Sequence, residues 1–146
     1  MALRELYQEI IVDHGKRPRN FGALTTANHC KSGHNPLCGD KLTIYLHEEN
    51  GVICDVQFEG SGCAISVASA SLMTETIKGK SVADVEQLFA LFHGLVTTGV
   101  EPAENLGKLA VFAGVAEFPI RVKCATLAWH TLKAALADDQ QPVSTG

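Results

Sequence analysis

Two stretches of strict alternation flank the dipeptide Asn50-Gly51, and this arrangement narrows the possible folds more than any other feature of the sequence. Before it, Leu42, Ile44 and Leu46 alternate with Thr43, Tyr45 and His47. After it, Val52, Cys54, Val56 and Phe58 alternate with Ile53, Asp55, Gln57 and Glu59. A period of two places every second side chain on one face of a strand. Asn-Gly suits a two-residue hairpin turn, in which both central residues need positive φ. The segment therefore predicts an antiparallel hairpin with Cys54 sharing the core face of Val52, Val56 and Phe58. A third strand is expected before residue 36.

Elsewhere the apolar spacing is helical. Residues 2–14 place Leu3, Leu6, Tyr7, Ile10 and Ile11 on one face, and Gly15 with Pro18 ends the pattern. A second helix is expected from Ala64 to Lys78, stopped by Gly79, and a third after Ser81, whose hydroxyl can cap the helix start near Asp84. Asn105 to Val115 predicts a short helix, and residues from about Lys123 to Ala137 a last one. The implied fold class is α+β: a small antiparallel three-stranded sheet packed against several helices, in a single domain over residues 1–137. Residues 138–146 have no periodic apolar face and are expected to form a flexible tail.

With 12 basic against 16 acidic side chains, the net charge of −4 argues against nucleic acid as a partner, which needs a concentrated positive field. The short run Lys16-Arg17-Pro18-Arg19 reads as a solvated loop. Arg4 and Glu5 interrupt any signal-peptide core, and no segment approaches the about 20 apolar residues of a membrane span. A cytoplasmic protein without a membrane partner is expected, with its thiols reduced. Five cysteines, an odd number, fit poorly with a pure disulfide framework.

Three cysteines lie beside glycine or at element ends. Cys38 stands in Asn35-Pro36-Leu37-Cys38-Gly39-Asp40, a turn in which a thiolate and a carboxylate two residues apart can grip one cation. Cys63, in Gly60-Ser61-Gly62-Cys63, follows a strand and opens a helix, where free N–H groups favour a thiolate; a small buried hydrophobe is the competing reading. Cys124 is expected in the first turn of the last helix, with Arg121 and Lys123 just ahead of it to lower its pKa. Three such thiols and Asp40 make a four-ligand set suited to Zn²⁺ or to iron in a cluster. A carboxylate among thiolates exchanges more easily than a fourth sulfur, and negative charge is left over for Arg121 and Lys123 to offset. The site thus reads as reactive. Cys54 is expected to be core, and Cys30 carries no signal. Of the six histidines, His29 and His34 are alternative ligands and otherwise solvated loop residues.

In these motifs the sequence resembles the U-type iron–sulfur cluster assembly proteins, the IscU/SufU family. The likeness runs from Leu6 to about Leu136. It includes Leu6-Tyr7, Asp13-His14, Pro18-Arg19-Asn20, Cys38-Gly39-Asp40, Gly60-Ser61-Gly62-Cys63-Ala64-Ile65-Ser66 and Lys123-Cys124-Ala125-Thr126-Leu127. Scaffold-type members carry histidine where Lys123 stands, and a Pro-Pro-Val-Lys motif where this chain reads Phe118-Pro119-Ile120-Arg121. Both departures, and the stretch from Thr97 to Val115, resemble the SufU-like branch. The resemblance implies a zinc-dependent sulfurtransferase that takes persulfide sulfur from a SufS-like cysteine desulfurase and serves downstream cluster-assembly proteins. It implies Cys38, Asp40, Cys63 and Cys124 as metal ligands, Cys38 as sulfur acceptor and Arg121 as a supporting residue. The alternative is a scaffold that builds a [2Fe–2S] cluster on the same cysteines.

Overall fold

The computed structural model describes residues 3–99, 104–138 and 142–145. Helix α1 (Leu3–Lys16) precedes strands β1 (His29–Asn35), β2 (Asp40–Glu49) and β3 (Val52–Ser61). Helices α2 (Ala64–Ile77) and α3 (Val82–Thr98), a 3-10 segment (Glu104–Glu117), helix α4 (Pro119–Leu136) and strand β4 (Val143–Ser144) follow. No helix among the described residues is long and apolar enough to cross a membrane.

The hairpin forms as its turn chemistry dictates. Asn50 and Gly51 take φ of 54° and 77°, and β2 pairs antiparallel with β3 and with β1. The expectation of three strands needs correction: the sheet has four, in the order β3-β2-β1-β4, with β4 parallel to β1. Val143 and Ser144, placed by the sequence in a flexible tail, pair with Gly33 and His34. Two residues are too few to carry a periodic signal. The tail positions 139–141 and 146 lie outside the described residues, as do 100–103.

Cys54 also departs from expectation. His47 pairs with Asp55 but Glu48 pairs with Ile53, so Cys54 is the extra residue of a β-bulge. The bulge breaks the alternation: Ile53 points into the core, while Val52 and Cys54 are exposed. The turn-proximal end of β3 thus shows the opposite face to Val56 and Phe58.

One face of the sheet carries Leu42, Ile44, Leu46, Val56 and Phe58 into a single core with α2 and α4. Phe92 of α3 stacks on Trp129 of α4 at 4.7 Å and meets Phe112 edge-on. Helix α4 lies directly on β1, for a Cβ at Gly33 would stand 2.2 Å from Thr131 Oγ1. Residues 20–22 and 79–82 cover the outer edge of β3 through backbone bonds to Phe58 and Ile53. Ser81 caps α3 through Asp84 N–H, as the sequence predicts. The segment expected as a helix over 105–115 is 3-10, broken at Gly107 (φ 54°, ψ −128°). Helix α4 starts at Pro119, four residues before the expected start, with proline at its first position.

Helix α1 is fastened to α2 by His14, which is 2% exposed. Its Nδ1 lies 2.7 Å from Ser71 Oγ and its Nε2 3.5 Å from Glu75 Oε1. Burial, aided by the charge of Arg19, holds the His14 pKa below its ordinary value. Burial also depresses His130. A depressed histidine favours the fold only while neutral: its stabilisation is complete above the unfolded pKa of about 6.5 and is lost as pH falls below it. Metal-stripped protein should therefore melt at a lower temperature at pH 5.5 than at pH 7.5. His14→Gln should shrink that difference while lowering both melting temperatures. An unchanged difference would assign the acid sensitivity elsewhere.

Candidate metal centre

Three elements bring their ends together beside the start of α2. Residues 36–39 form the tight loop between β1 and β2, closed by the pairing of Asn35 with Asp40. Cys38 lies on this loop and is half-buried, next to Leu37 at 64% exposure. Asp40 opens β2 and is fully buried. Cys63 is the N-cap of α2, where its sulfur accepts the Ser66 N–H at 3.4 Å. Cys124 is 2% exposed. Contrary to expectation it lies in the second turn of α4, so the free N–H groups of that helix end do not reach it.

The side chains converge. Ligand atoms of Cys38, Asp40 and Cys124 all lie within 4.8 Å of one another. Cys124 Sγ is 3.2 Å from Cys38 Sγ, and Cys63 Sγ is 3.9 Å from Asp40 Oδ2. Asp40 Oδ1 also accepts the backbone N–H of Cys63 at 2.8 Å. Burial above all, then hydrogen bonds with Cys38 and Cys63, pushes the Cys124 thiol far above its ordinary pKa. The sequence suggested the opposite shift, from Arg121 and Lys123. Both are exposed: Arg121 stacks over Phe118 at 4.8 Å, and Lys123 lines a separate groove with His130 and Lys133.

No ion pair with Asp40 exists among the described residues. Burial makes the Cys124 thiol costly to ionise alone, and a bound cation reverses that cost; Cys63 lies beside this group through its contact with Asp40. The donor set suits zinc, or iron in a cluster. His29 instead bonds Glu48 and Asp138, and His34 is exposed on β1; neither belongs to the cluster. A cleft of about 620 Å³ opens over the cysteines. Tyr7, Ile11 and Val12 of α1 wall it on one side, Phe118, Ile120 and Arg121 on the other.

Sequence reasoning missed one residue here. Asn35, read only as half of an Asn-Pro turn signal, is fully buried and donates from Nδ2 to Cys124 Sγ at 3.7 Å. Its Oδ1 accepts the Leu37 N–H at 3.2 Å. An asparagine before proline does signal a side-chain-closed turn; nothing local signals its sulfur partner.

Residues 6–125 match the family described as the NifU-like N terminal domain. The chain is 37% identical over 139 residues to the zinc-dependent sulfurtransferase SufU of Bacillus subtilis, covering 94% of each chain. It is 40% identical over 135 residues to the iron–sulfur cluster assembly scaffold protein IscU of Streptococcus pyogenes, covering 92% of this chain and 84% of that one. Among solved structures, a candidate iron–sulfur cluster assembly scaffold protein for the SUF system from Fervidobacterium islandicum superposes with a TM-score of 0.83 at 37% identity. That match covers 92% of this chain and 99% of the other.

The position of Asp40 depends on Gly62. A Cβ there would lie 2.3 Å from Asp40 Oδ1 and 3.0 Å from its Cα. Gly62→Ala should lower zinc affinity about tenfold or more, as displacing a ligand through its supporting contacts does. The circular dichroism spectrum should stay native. Gly114→Ala, in open space, is the control. Equal zinc affinities for the two variants would remove Asp40 from the ligand set.

Proposed function

The chain belongs to the NifU-like N-terminal domain family, and on that premise we propose that it serves iron–sulfur cluster assembly as a zinc-dependent sulfur acceptor for a cysteine desulfurase. The observation that carries this reading is the unequal anchoring of the donors. Asp40 and Cys124 are buried within packed elements, and Cys63, half-buried like Cys38, is held as the N-cap of α2, whereas Cys38 stands on a four-residue loop at the mouth of the cleft. A ligand that must leave and return belongs on such a loop; ligands that must stay belong on strand and helix.

Cys38, Asp40, Cys63 and Cys124 would hold the metal, Cys63 at the capped end of α2 and Cys124 in the second turn of α4. Bound zinc would keep the thiols ionised at neutral pH and accept the exchange of one of them. The transfer itself is thiol chemistry of this chain. The Cys38 thiolate attacks the outer sulfur of the donor's persulfide and forms a new S–S bond. The donor's own S–S bond breaks, and its cysteine leaves with the electron pair as a thiolate. Cys38 thereby becomes a persulfide, with no net oxidation. Arg121, lining the same cleft, offers positive charge to the incoming anionic sulfur. Phe118 and Ile120, 41% and 61% exposed, give that approach an apolar wall.

A second reading has the likeness to the Streptococcus pyogenes scaffold in its favour. In it, a [2Fe–2S] cluster is the cargo, built on the same side chains and passed to downstream assembly proteins. Lysine at position 123, where scaffold-type members carry histidine, supports the relay reading over this one.

Cys38→Ser should abolish transfer of labelled sulfur from a desulfurase persulfide while leaving zinc bound, with lower affinity, to Asp40, Cys63 and Cys124. Cys124→Ser should lose the metal. Mass spectrometry of the metal content and of the sulfur adduct reads both results. Full acceptance by the Cys38 variant would overturn the relay. Tight iron binding with a stable visible chromophore after anaerobic reconstitution would favour the scaffold.

A further inference from the structure

Asn35 makes a second link between the Cys38 loop and Cys124, beside the direct contact of their sulfurs. It ends β1, is fully buried, and directs one planar amide at two targets. Leu37 N–H is a donor only, so the atom that meets it at 3.2 Å is the amide oxygen. The other end of the amide is therefore the NH₂ group, and it faces Cys124 Sγ at 3.7 Å, within reach of a sulfur acceptor. The assignment follows from the network and leaves no alternative flip. Cys124 can accept from Asn35 in either state. As a thiol it directs its own proton at Cys38, 3.2 Å away; as a thiolate it has lone pairs to spare.

We propose that Asn35 is a positioning residue that latches the Cys38 loop through Leu37 and tempers the Cys124 sulfur as a metal ligand. The role rests on the ligand set proposed above and adds to it. The Asn35 oxygen closes residues 35–37 into a side-chain turn, with Pro36 fixing the intervening backbone. When the latch opens, Cys38 is free to travel; when it closes, Cys38 returns to 3.2 Å from Cys124. The amide hydrogens, meanwhile, withdraw electron density from the Cys124 sulfur, as hydrogen bonds to metal-bound thiolates do. Asparagine alone suits both tasks without adding charge. Aspartate would keep the acceptor but set a second carboxylate oxygen against a sulfur already crowded by Asp40 and Cys63.

Two variants separate the tasks. Asn35→Ala removes both contacts; Asn35→Asp keeps the acceptor and loses the donor. The first readout is hydrogen exchange of the Leu37 amide by NMR in the zinc-loaded protein. It should speed up about tenfold in Asn35→Ala, the effect of losing one buried hydrogen bond, and stay near native in Asn35→Asp. The second is the sulfur-to-metal charge-transfer band of the cobalt(II)-substituted protein. It should move to lower energy in both variants as the Cys124 sulfur regains electron density. A purely structural role would lower the melting temperature and leave the band in place. Native exchange at Leu37 in the alanine variant, or a native band in the aspartate variant, would overturn the proposal. Should Asn35→Ala not fold, Asn35→Asp decides alone. Neither readout involves a desulfurase, so failure of the wild-type chain to accept sulfur would sink the relay and leave this test standing.

Discussion

The bond from the Cys63 N–H to Asp40 holds the centre together. Asp40 is the first residue of a strand, and Cys63 caps a helix that follows the neighbouring strand. Their 2.8 Å contact therefore joins the Cys38 loop to the start of α2. A helix start leaves several N–H groups without partners. One is taken here by a carboxylate that solvent cannot reach, and that carboxylate keeps its second oxygen 3.9 Å from Cys63 Sγ. The same group thus serves as helix cap, hairpin anchor and candidate ligand. The absence of a side chain at Gly62 leaves room for it there.

Around that bond the protein divides its donors by mobility. Strand β2 and helix α4 are pinned by the core: Leu42 and Ile44 on one, Leu127, Trp129 and Leu132 on the other, all at most 1% exposed. Moving Asp40 or Cys124 would mean dislodging those side chains. Moving Cys38 needs only the rearrangement of four loop residues. A thiol exchange requires a nucleophile that departs from its partners and a remainder that does not collapse. The fold supplies that contrast without any separate moving part.

What could be read from the sequence was local chemistry with one dominant cause. Asn50-Gly51 set the hairpin and Ser81 the start of α3, because in each case the residues named act on their immediate neighbours; of the cysteines singled out, Cys38 and Cys124 meet Asp40 within 4.8 Å. The errors had other origins. Cys54 looks inward by strict alternation, and one unpaired residue in β3 turns it out; a bulge leaves no trace in the pattern of two. The start of α4 was placed about four residues late, at Lys123, although Pro119 suits the first position of a helix. The shift of Cys124 was misjudged because burial, a tertiary property, outweighs charges one and three residues away. Likewise, the reach of Asn35 to Cys124 spans 89 residues and depends on how closely α4 lies on β1.

The pairing of β4 with β1 has a bearing on how this chain tolerates extension. Thr145 donates its hydroxyl to the carbonyl of Lys123 at 3.1 Å and its N–H to the carbonyl of His34 at 3.2 Å. Its side chain is thus bonded to the residue directly preceding Cys124. Any fusion partner, purification handle or immobilising linker joined beyond this point pulls on the back wall of the thiol cluster. Mechanical load applied at that end passes through these two bonds to α4 at Lys123 and to β1 at His34.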